Sequence, residues 1–445
     1  MTQLAIAARP EPLADAVAPS SGQIAQGWGQ GPSARYEALA APFRPLFRRI
    51  AEGAVVRDAE RRLPFDELEW LKKAGFTRLR LPVALGGLGV SLPELHNLLI
   101  ELSAADPNIT NILRPHIGFT EDLLNTAHAD YARRWLDEIA AGKTFGNGFS
   151  ELAGNVGTTS ARLVREGEGW RLNGQKYYTT GTLFADWINM GAVDEHGTPK
   201  GAVVPRRAPG VEVPDDWNGF GQTLTASGST LFRDVYLTDD LVKPETKRAR
   251  YVGGLFQLIH IATLAGIGRA VADEGAQAVA ARSRTYGHGN AAEARQDPQV
   301  LAVVGRARGG AYAAGAITLK VAEALERVYE ANRAGLPAAE EAAGAIADLE
   351  INEAVSVVSE LVLDAATTIF DALGASGTGR ALGLDRHWRN ARTITSHNPR
   401  IYRDRIVGAF AVNGTLPVAF GQAPQGGGQE ADAQEARNAA APLAL

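Results

Sequence analysis

The chain has 445 residues, of which 45% are apolar, a formal net charge of −5 and no cysteine. That length predicts two or three domains around a sizeable core, and no run of 18 or more apolar residues predicts a membrane span. The acidic balance argues against a nucleic-acid partner, while the lack of Cys excludes a disulfide framework, a thiolate nucleophile and a Cys-ligated metal; no metal is expected.

Residues 1–35 read as a disordered tail, without the basic start and continuous apolar core of a signal peptide, so a cytoplasmic protein is expected. Residues 36–142 read as a helical domain. Leu68, Leu71, Lys72 and Phe76 follow helical spacing after Pro64, further helices run from Leu92 to Ser103 and from Asp130 to Ala140, and Gly142 closes the last. From 143 to 245 the texture changes to short β-prone runs separated by Gly-, Asn- and Asp-rich turns: Ser160–Glu166, Trp170–Leu172, Trp187–Val193, Gly201–Pro205 and Ser229–Leu237. This pattern predicts an antiparallel barrel or sandwich. Residues 246–420 read as a C-terminal four-helix bundle, with long helices over 255–285, 299–333 and 338–372, and residues 421–445 as a second disordered tail. The fold class expected is α+β, in the order helical domain, β-domain, helical bundle.

After the long helices comes Leu373-Gly374-Ala375-Ser376-Gly377-Thr378-Gly379. Then follow the basic-aromatic segment Asp385-Arg386-His387-Trp388-Arg389-Asn390-Ala391-Arg392-Thr393 and the turn His397-Asn398-Pro399. Upstream stand Arg114-Pro115-His116-Ile117-Gly118-Phe119, Phe145-Gly146-Asn147-Gly148-Phe149-Ser150-Glu151, Asn173-Gly174-Gln175-Lys176-Tyr177-Tyr178-Thr179-Thr180-Gly181 and Asp215-Asp216-Trp217-Asn218-Gly219-Phe220-Gly221, with Thr225-Ala226-Ser227-Gly228-Ser229-Thr230. In this order and spacing, over about residues 40–420, the chain resembles the acyl-CoA dehydrogenase superfamily. More narrowly, it resembles the flavin-dependent monooxygenase branch that includes dibenzothiophene monooxygenase. Dehydrogenases of that fold often carry a catalytic glutamate in the turn where this chain has Asn398, and an amide cannot abstract a proton.

The resemblance implies a two-component monooxygenase. It would use FMNH2 from a separate NAD(P)H:flavin reductase, form a flavin C4a-hydroperoxide with O2, and pass one oxygen atom to a small organosulfur compound. Pro399-Arg400-Ile401-Tyr402 replaces the segment that helps FAD-binding relatives hold adenosine, which favours FMN over FAD. A flat ring with polar edges needs an apolar slot and a few placed donors and acceptors. Asn147, Ser150, Thr180, Trp217 and Ser227 are the candidates, although Ser and Thr are common in strands and Trp is often core. Arg284 and Arg392 are candidates for the cofactor phosphate, Arg284 from a neighbouring subunit of a homotetramer. His397, His116 and Thr180 are the catalytic candidates, since a histidine titrating near neutrality can donate to a peroxide and shuttle a proton. His387 reads as a helix-surface or subunit contact, and the basic cluster as either a solvated face or a phosphate neighbour. Ile394 stands where dibenzothiophene monooxygenase has a second histidine, so the substrate stays open. The rival readings are an acyl-CoA dehydrogenase with a displaced base such as Glu353, a flavin-dependent N-oxygenase of an amine, and a scaffold that only binds flavin or a partner.

Overall fold

A computed structural model describes residues 27–152, 159–245 and 248–420; most of the two expected tails lies outside them. The described residues from Pro32 onward form one contact unit. Ser33 and Arg35, read from sequence as tail, are tied down: both bond to Glu94, Arg35 through Nε at 2.7 Å and Nη2 at 2.6 Å.

Seven α-helices precede the sheet among the described residues. They are α1 (Tyr36–Ala40), α2 (Arg44–Glu52), α3 (Ala54–Ala59), α4 (Phe65–Lys73), α5 (Leu92–Ala105), α6 (Pro107–Leu124) and α7 (Ala129–Ala140). Local chemistry sets their starts. Ser91 Oγ accepts from Glu94 N while the Glu94 carboxylate accepts from Ser91 N, a reciprocal cap on α5 with Pro93 in its first turn. Asp106 caps α6 through Asn108 N at 3.0 Å, and its other oxygen accepts Arg57, a buried cation shared with Glu67.

The sheet has seven strands: β1 (Phe145–Gly148), β2 (Arg162–Glu166), β3 (Gly169–Lys176), β4 (Trp187–Val193), β5 (Pro199–Pro205), β6 (Val211–Glu212) and β7 (Thr230–Thr238). Their order is β1-β4-β2-β3-β7-β6, with β5 on β4. The pairing is not wholly antiparallel: β1 runs parallel to β4, and β2 meets β4 in parallel at one residue pair. Alternation along β7 buries Thr230, Phe232, Val235 and Leu237, and it skips one residue at Asp234, whose φ is +52°. Asn173 opposite Asp234 exchanges two hydrogen bonds with it, where the β3–β7 register shifts.

Three long helices follow: α8 (Arg250–Ala280), α9 (Pro298–Arg333) and α10 (Pro337–Leu373). Shorter α11 (Asp385–Thr395) packs on α8 and α10, and α12 (Arg403–Asn413) packs on α10. Helix α8 is long and apolar enough to cross a membrane, but 89% of its most apolar window is buried inside this fold. It shares one continuous core with α1, α2, α4–α6, α9 and α10. Glycines let its neighbours approach: a Cβ on Gly266 would lie 2.4 Å from Ser103 Cβ and 2.5 Å from the Ile100 carbonyl, and one on Gly275 would lie 2.4 Å from Ile369 Cδ1.

Gly266→Val is therefore expected to lower stability by about 1–3 kcal/mol through overpacking. Gly408→Ala, inside α12 where a Cβ meets nothing within 4 Å, should raise it by about 0.5–1 kcal/mol. Urea unfolding midpoints of the two variants check both signs.

Candidate active site

Two loops of the β-domain are built around hydroxyl groups. Thr182 Oγ1 accepts from Asn147 N at 3.0 Å and donates to Asn147 O at 2.9 Å, clamping the end of β1. Thr225 Oγ1 donates its one proton to Gln222 O at 2.8 Å. Its 2.7 Å bond with Ser227 Oγ must then run from Ser227, and the 2.7 Å bond between Ser227 and Thr180 must run from Thr180. The chain Thr180→Ser227→Thr225→Gln222 leaves Thr180 Oγ1 with lone pairs only. Tyr178, Gln222 and Ala226 all hold φ between +46° and +59°, a strained conformation for residues with a side chain. The Trp217 ring lies 6.2 Å from that of Tyr178. Trp217 Nε1, Asn147 Oδ1, Gln222 Nε2 and Thr223 Oγ1 are buried without a hydrogen-bond partner among the described residues.

Gln222 joins this loop to the helices. Its N–H donates to Asn390 Oδ1 on α11 at 2.6 Å, and its Oε1 accepts from Asn111 on α6 at 3.2 Å. A Cβ on Gly181 would lie 2.4 Å from Ile112 O, so the Thr180 turn also rests on α6. One half-turn further along α6, Arg114 Nε donates to Phe256 O at 3.0 Å, and its guanidinium lies 4.9 Å from the centre of the Phe256 ring. Phe256, Gln257 and His260 share a face of α8. Asn398 Nδ2 donates to Gln257 Oε1 at 3.0 Å, and the His397 and His260 rings are 4.3 Å apart.

The electrostatics of this wall are unusual. His260 is buried, its Nε2 has no partner among the described residues, and burial followed by Arg114 and His397 drives its pKa well below the ordinary value. His397 keeps a solvent-exposed edge within a crowded wall; the surrounding protein and then Arg114 lower its pKa too, so both rings are neutral at pH 7. Burial also pushes Arg114 down, to about 9, with no carboxylate in ion-pair distance among the described residues. A guanidinium remains charged at neutral pH all the same.

Profiles of the acyl-CoA dehydrogenase N-terminal, middle and C-terminal domains match residues 37–143, 148–235 and 258–399. The chain belongs to the acyl-CoA dehydrogenase family. It is 28% identical to a probable FMNH2-dependent monooxygenase of Pseudomonas putida, SfnC, over 84% of this chain and 95% of that protein. It is 26% identical to a dibenzothiophene monooxygenase of Rhodococcus erythropolis, over 84% and 93%. The methanesulfinate monooxygenase MsuC of Pseudomonas fluorescens has the same fold, with a TM-score of 0.78 at 26% identity over 85% of this chain and 98% of that one. TdsC of Paenibacillus sp. A11-2, in complex with FMN and indole, also has a TM-score of 0.78, at 24% identity over 86% and 99%.

Within this acyl-CoA dehydrogenase frame the expected site residues divide. Thr180 and Ser227 meet on the two loops, Asn147 stands on β1 with its Nδ2 donating to Tyr178 O at 3.4 Å, and Trp217 is beside Tyr178. Ser150 is exposed, its carbonyl accepting from Tyr177 N at 2.9 Å. His397 belongs to the helical group, with His260 and Arg114. His116 does not belong to that group. At about 100° per residue it points some 200° around α6 from Arg114. Its Nε2 bonds Thr77 O at 2.8 Å, and its ring stacks 6.1 Å from Phe145. Burial lowers its pKa to about 4. Arg284 is exposed on the α8–α9 connection without a hydrogen bond to any described residue, and the Arg392 guanidinium donates to Thr395 Oγ1 at 3.1 Å. Arg114 and His260, which the structure places with His397, were not among the expected site residues. A charged or imidazole side chain amid an apolar helical run was the available signal.

The basic segment is not a solvated face. Arg386 and His387 are both buried and share Glu274, at 2.5 and 2.9 Å, and Arg389 pairs with Asp58 at 2.5 Å. His387 is thus an interior residue hydrogen-bonded to Glu274, a correction to its reading as surface; burial and then Arg386 lower its own pKa, so at pH 7 the imidazole is neutral and Arg386 carries the charge opposite Glu274. Desolvation raises the Glu274 carboxyl, but His387 and Arg386 more than offset it and hold it at about 2, against an ordinary 4.5. The stabilisation is complete above the ordinary carboxylate range and is lost as pH falls through 4.5 toward 2. Glu274→Gln should therefore be less stable at pH 7 by on the order of 2 kcal/mol, and its unfolding midpoint should fall less steeply than that of the parent below pH 4.5. Urea melts at stepped pH measure both; parallel acid limbs would mean that the pair contributes nothing.

Proposed function

We propose that this protein is a flavin-dependent monooxygenase that takes FMNH2 from a separate NAD(P)H:flavin reductase and adds one atom of O2 to the sulfur of a small organosulfur compound. The observation that carries this reading is the His397–Asn398 turn. Where a dehydrogenase needs a proton-abstracting carboxylate, an imidazole and an amide face α8, and no carboxylate hydrogen-bonds Arg114, His260 or His397 among the described residues. Glu353, the alternative base, is exposed on α10. Names of relatives point the same way: an FMNH2-dependent monooxygenase, dibenzothiophene monooxygenases and a methanesulfinate monooxygenase.

The residues present fit a flavin. Four buried polar atoms without partners, on Asn147, Trp217, Gln222 and Thr223, suit a flat group that is polar at its edges. Bound reduced FMN would supply the two electrons that divide O2 between the product and water. Thr180, fixed as an acceptor by its hydroxyl chain, favours a reduced ring, which gains N–H groups at its edge, over an oxidised one. Trp217 and Tyr178 would wall the ring. His397, neutral at pH 7, would hold one proton at a ring nitrogen and pass it to oxygen as the bond to sulfur forms. His116 would act by positioning, through Thr77 and Phe145.

The finer points of the reading are a homotetramer in the cytoplasm and a cofactor phosphate held by Arg284 of a neighbouring subunit, with Arg392 as a second cation nearby. The exposed face of α9, where Gly305 and Gly309 meet nothing within 4 Å and Leu301 and Tyr312 are exposed, supports a subunit contact there.

Product mass spectrometry with FMN, a reductase, NADH and a panel of sulfides, sulfoxides, sulfones and sulfinates tests the activity; no oxygenated product from any of them would sink it. His397→Ala should cut substrate oxidation by about 10²–10⁴-fold while NADH is still consumed and appears as H2O2. Asn398→Ala should cost much less, and full coupling in His397→Ala would remove it from the proton step. Ser227→Ala breaks the hydroxyl chain and frees Thr180 to donate. The affinity ratio of FMNH2 to FMN should then fall by roughly tenfold, the worth of about one hydrogen bond. An unchanged ratio, from anaerobic and aerobic titrations, would show that Thr180 does not read the redox state.

A further inference from the structure

Arg114 is the starting point. Its ring-stacked guanidinium is anchored by one bond to Phe256 O, and no acidic side chain in the described residues neutralises it. The anchor is built into the helix pair. Gly118, one turn after Arg114, leaves room for Phe256, since a Cβ there would lie 2.1 Å from Phe256 Cζ. Asp122, one turn further, is already taken by Arg248 at 2.8 Å. A second polar group points to a ligand independently: His260 is 6% exposed, its Nε2 has no partner among the described residues, and it lies 4.3 Å, ring to ring, from His397. A partly desolvated cation beside two donor-capable imidazoles lacks one thing, an oxyanion. A guanidinium binds such a group through paired, charge-assisted hydrogen bonds. Burying a neutral aromatic substrate against it would leave the charge uncompensated, which is costly.

We propose that Arg114, with His260 and His397, forms an oxyanion-binding subsite for the substrate, so that the protein acts on organosulfur anions of the sulfinate class. This rests on the monooxygenase reading above and narrows it. The class follows from two demands: a negative oxygen for Arg114, and a lone pair on sulfur to receive oxygen. A sulfinate meets both, whereas a sulfonate has no sulfur lone pair and a thioether or thiophene has no charge. The balance closes: RSO2⁻ + O2 + FMNH2 gives RSO3⁻ + FMN + H2O, with one S–O bond formed, the O–O bond broken and the flavin's two electrons and two protons leaving in water. Substrate and product are both monoanions, so the same subsite would hold either.

Methanesulfinate and dimethyl sulfoxide are near-isosteres that differ in charge, which makes them the test pair for the full-length enzyme with FMN, reductase and NADH. The expected result is a kcat/KM at least tenfold higher for methanesulfinate, and competitive inhibition by methanesulfonate but not by neutral dimethyl sulfone. Arg114→Gln should raise KM for methanesulfinate by about ten- to a hundredfold and weaken methanesulfonate binding in calorimetry by a similar factor, with Arg114→Lys recovering part of both. Equal use of dimethyl sulfoxide, or absence of inhibition by methanesulfonate, overturns the subsite while leaving the monooxygenase reading intact, and these wild-type comparisons decide even if a variant does not fold. An Arg114→Gln loss confined to FMNH2 affinity would overturn it too, by giving the cation to the flavin. Calorimetric binding of methanesulfonate that depends on Arg114, with no organosulfur oxygenated, would keep the subsite and remove the monooxygenase reading instead.

Discussion

Everything in this fold leans on how closely α8 can be approached. Its glycines let α5 and α10 come to contact distances that a methyl group would forbid, at Gly266 and Gly275. Polar groups then lock the register. Tyr251 at its start donates to Glu121 on α6 at 2.5 Å, and Glu121 also takes Arg80 at 2.5 Å, in a site from which water is excluded. Removing one member of such a buried set strands the others, at a cost of about 3–5 kcal/mol. That lock matters beyond stability. The stretch of α8 immediately after Tyr251 carries Phe256, Gln257 and His260, so the same contact that fixes α6 against α8 sets where Arg114 meets the imidazoles.

The candidate site therefore has two walls of different character. The β-domain wall is made of neutral hydroxyl and amide groups on strained loops, directed by one another into a single donor-acceptor sense. The helical wall is made of a cation and two neutral imidazoles on rigid helices. Gln222 spans the two, bonded to Asn390 on α11 and Asn111 on α6. A flat polar-edged cofactor suits the first wall, and a small charged reactant suits the second. Preorganisation on the second is high because Arg114 is held by stacking and a carbonyl rather than by a mobile partner.

Periodicity was informative where the elements are long. The three long helices begin and end within about five residues of their expected bounds, because apolar spacing over more than thirty residues leaves little freedom. Five of the seven strands were legible from alternation and turn residues; the short β1 and β6 were not among the expected runs, and neither was the parallel pairing of β1 with β4, since pairing partners leave no local trace. The same limit governs the site. The loops carrying Thr180 and Ser227 could be read from motif order, and their mutual bond could not. His116 and Arg114 are two residues apart in sequence yet serve opposite faces of α6, and sequence reasoning favoured the imidazole over the cation. Arg386, His387 and Arg389 read as a charged face because their acidic partners, Glu274 and Asp58, lie 112, 113 and 331 residues away along the chain.

Helix α8 also has a history during synthesis. It is apolar nearly all round, and two of the helices that cover it, α9 and α10, are encoded after it, with α10 ending at Leu373, 93 residues beyond Ala280. At a ribosomal pace of about 5–20 residues per second, that segment waits roughly 5–20 s for its cover. During that interval its surface, long enough and greasy enough to pass for a bilayer span, is shielded on the α5 and α6 side alone. The nascent chain is thus a natural client for a holdase, and the yield of folded enzyme should depend on chaperone supply and elongation rate as much as on the stability of the finished protein.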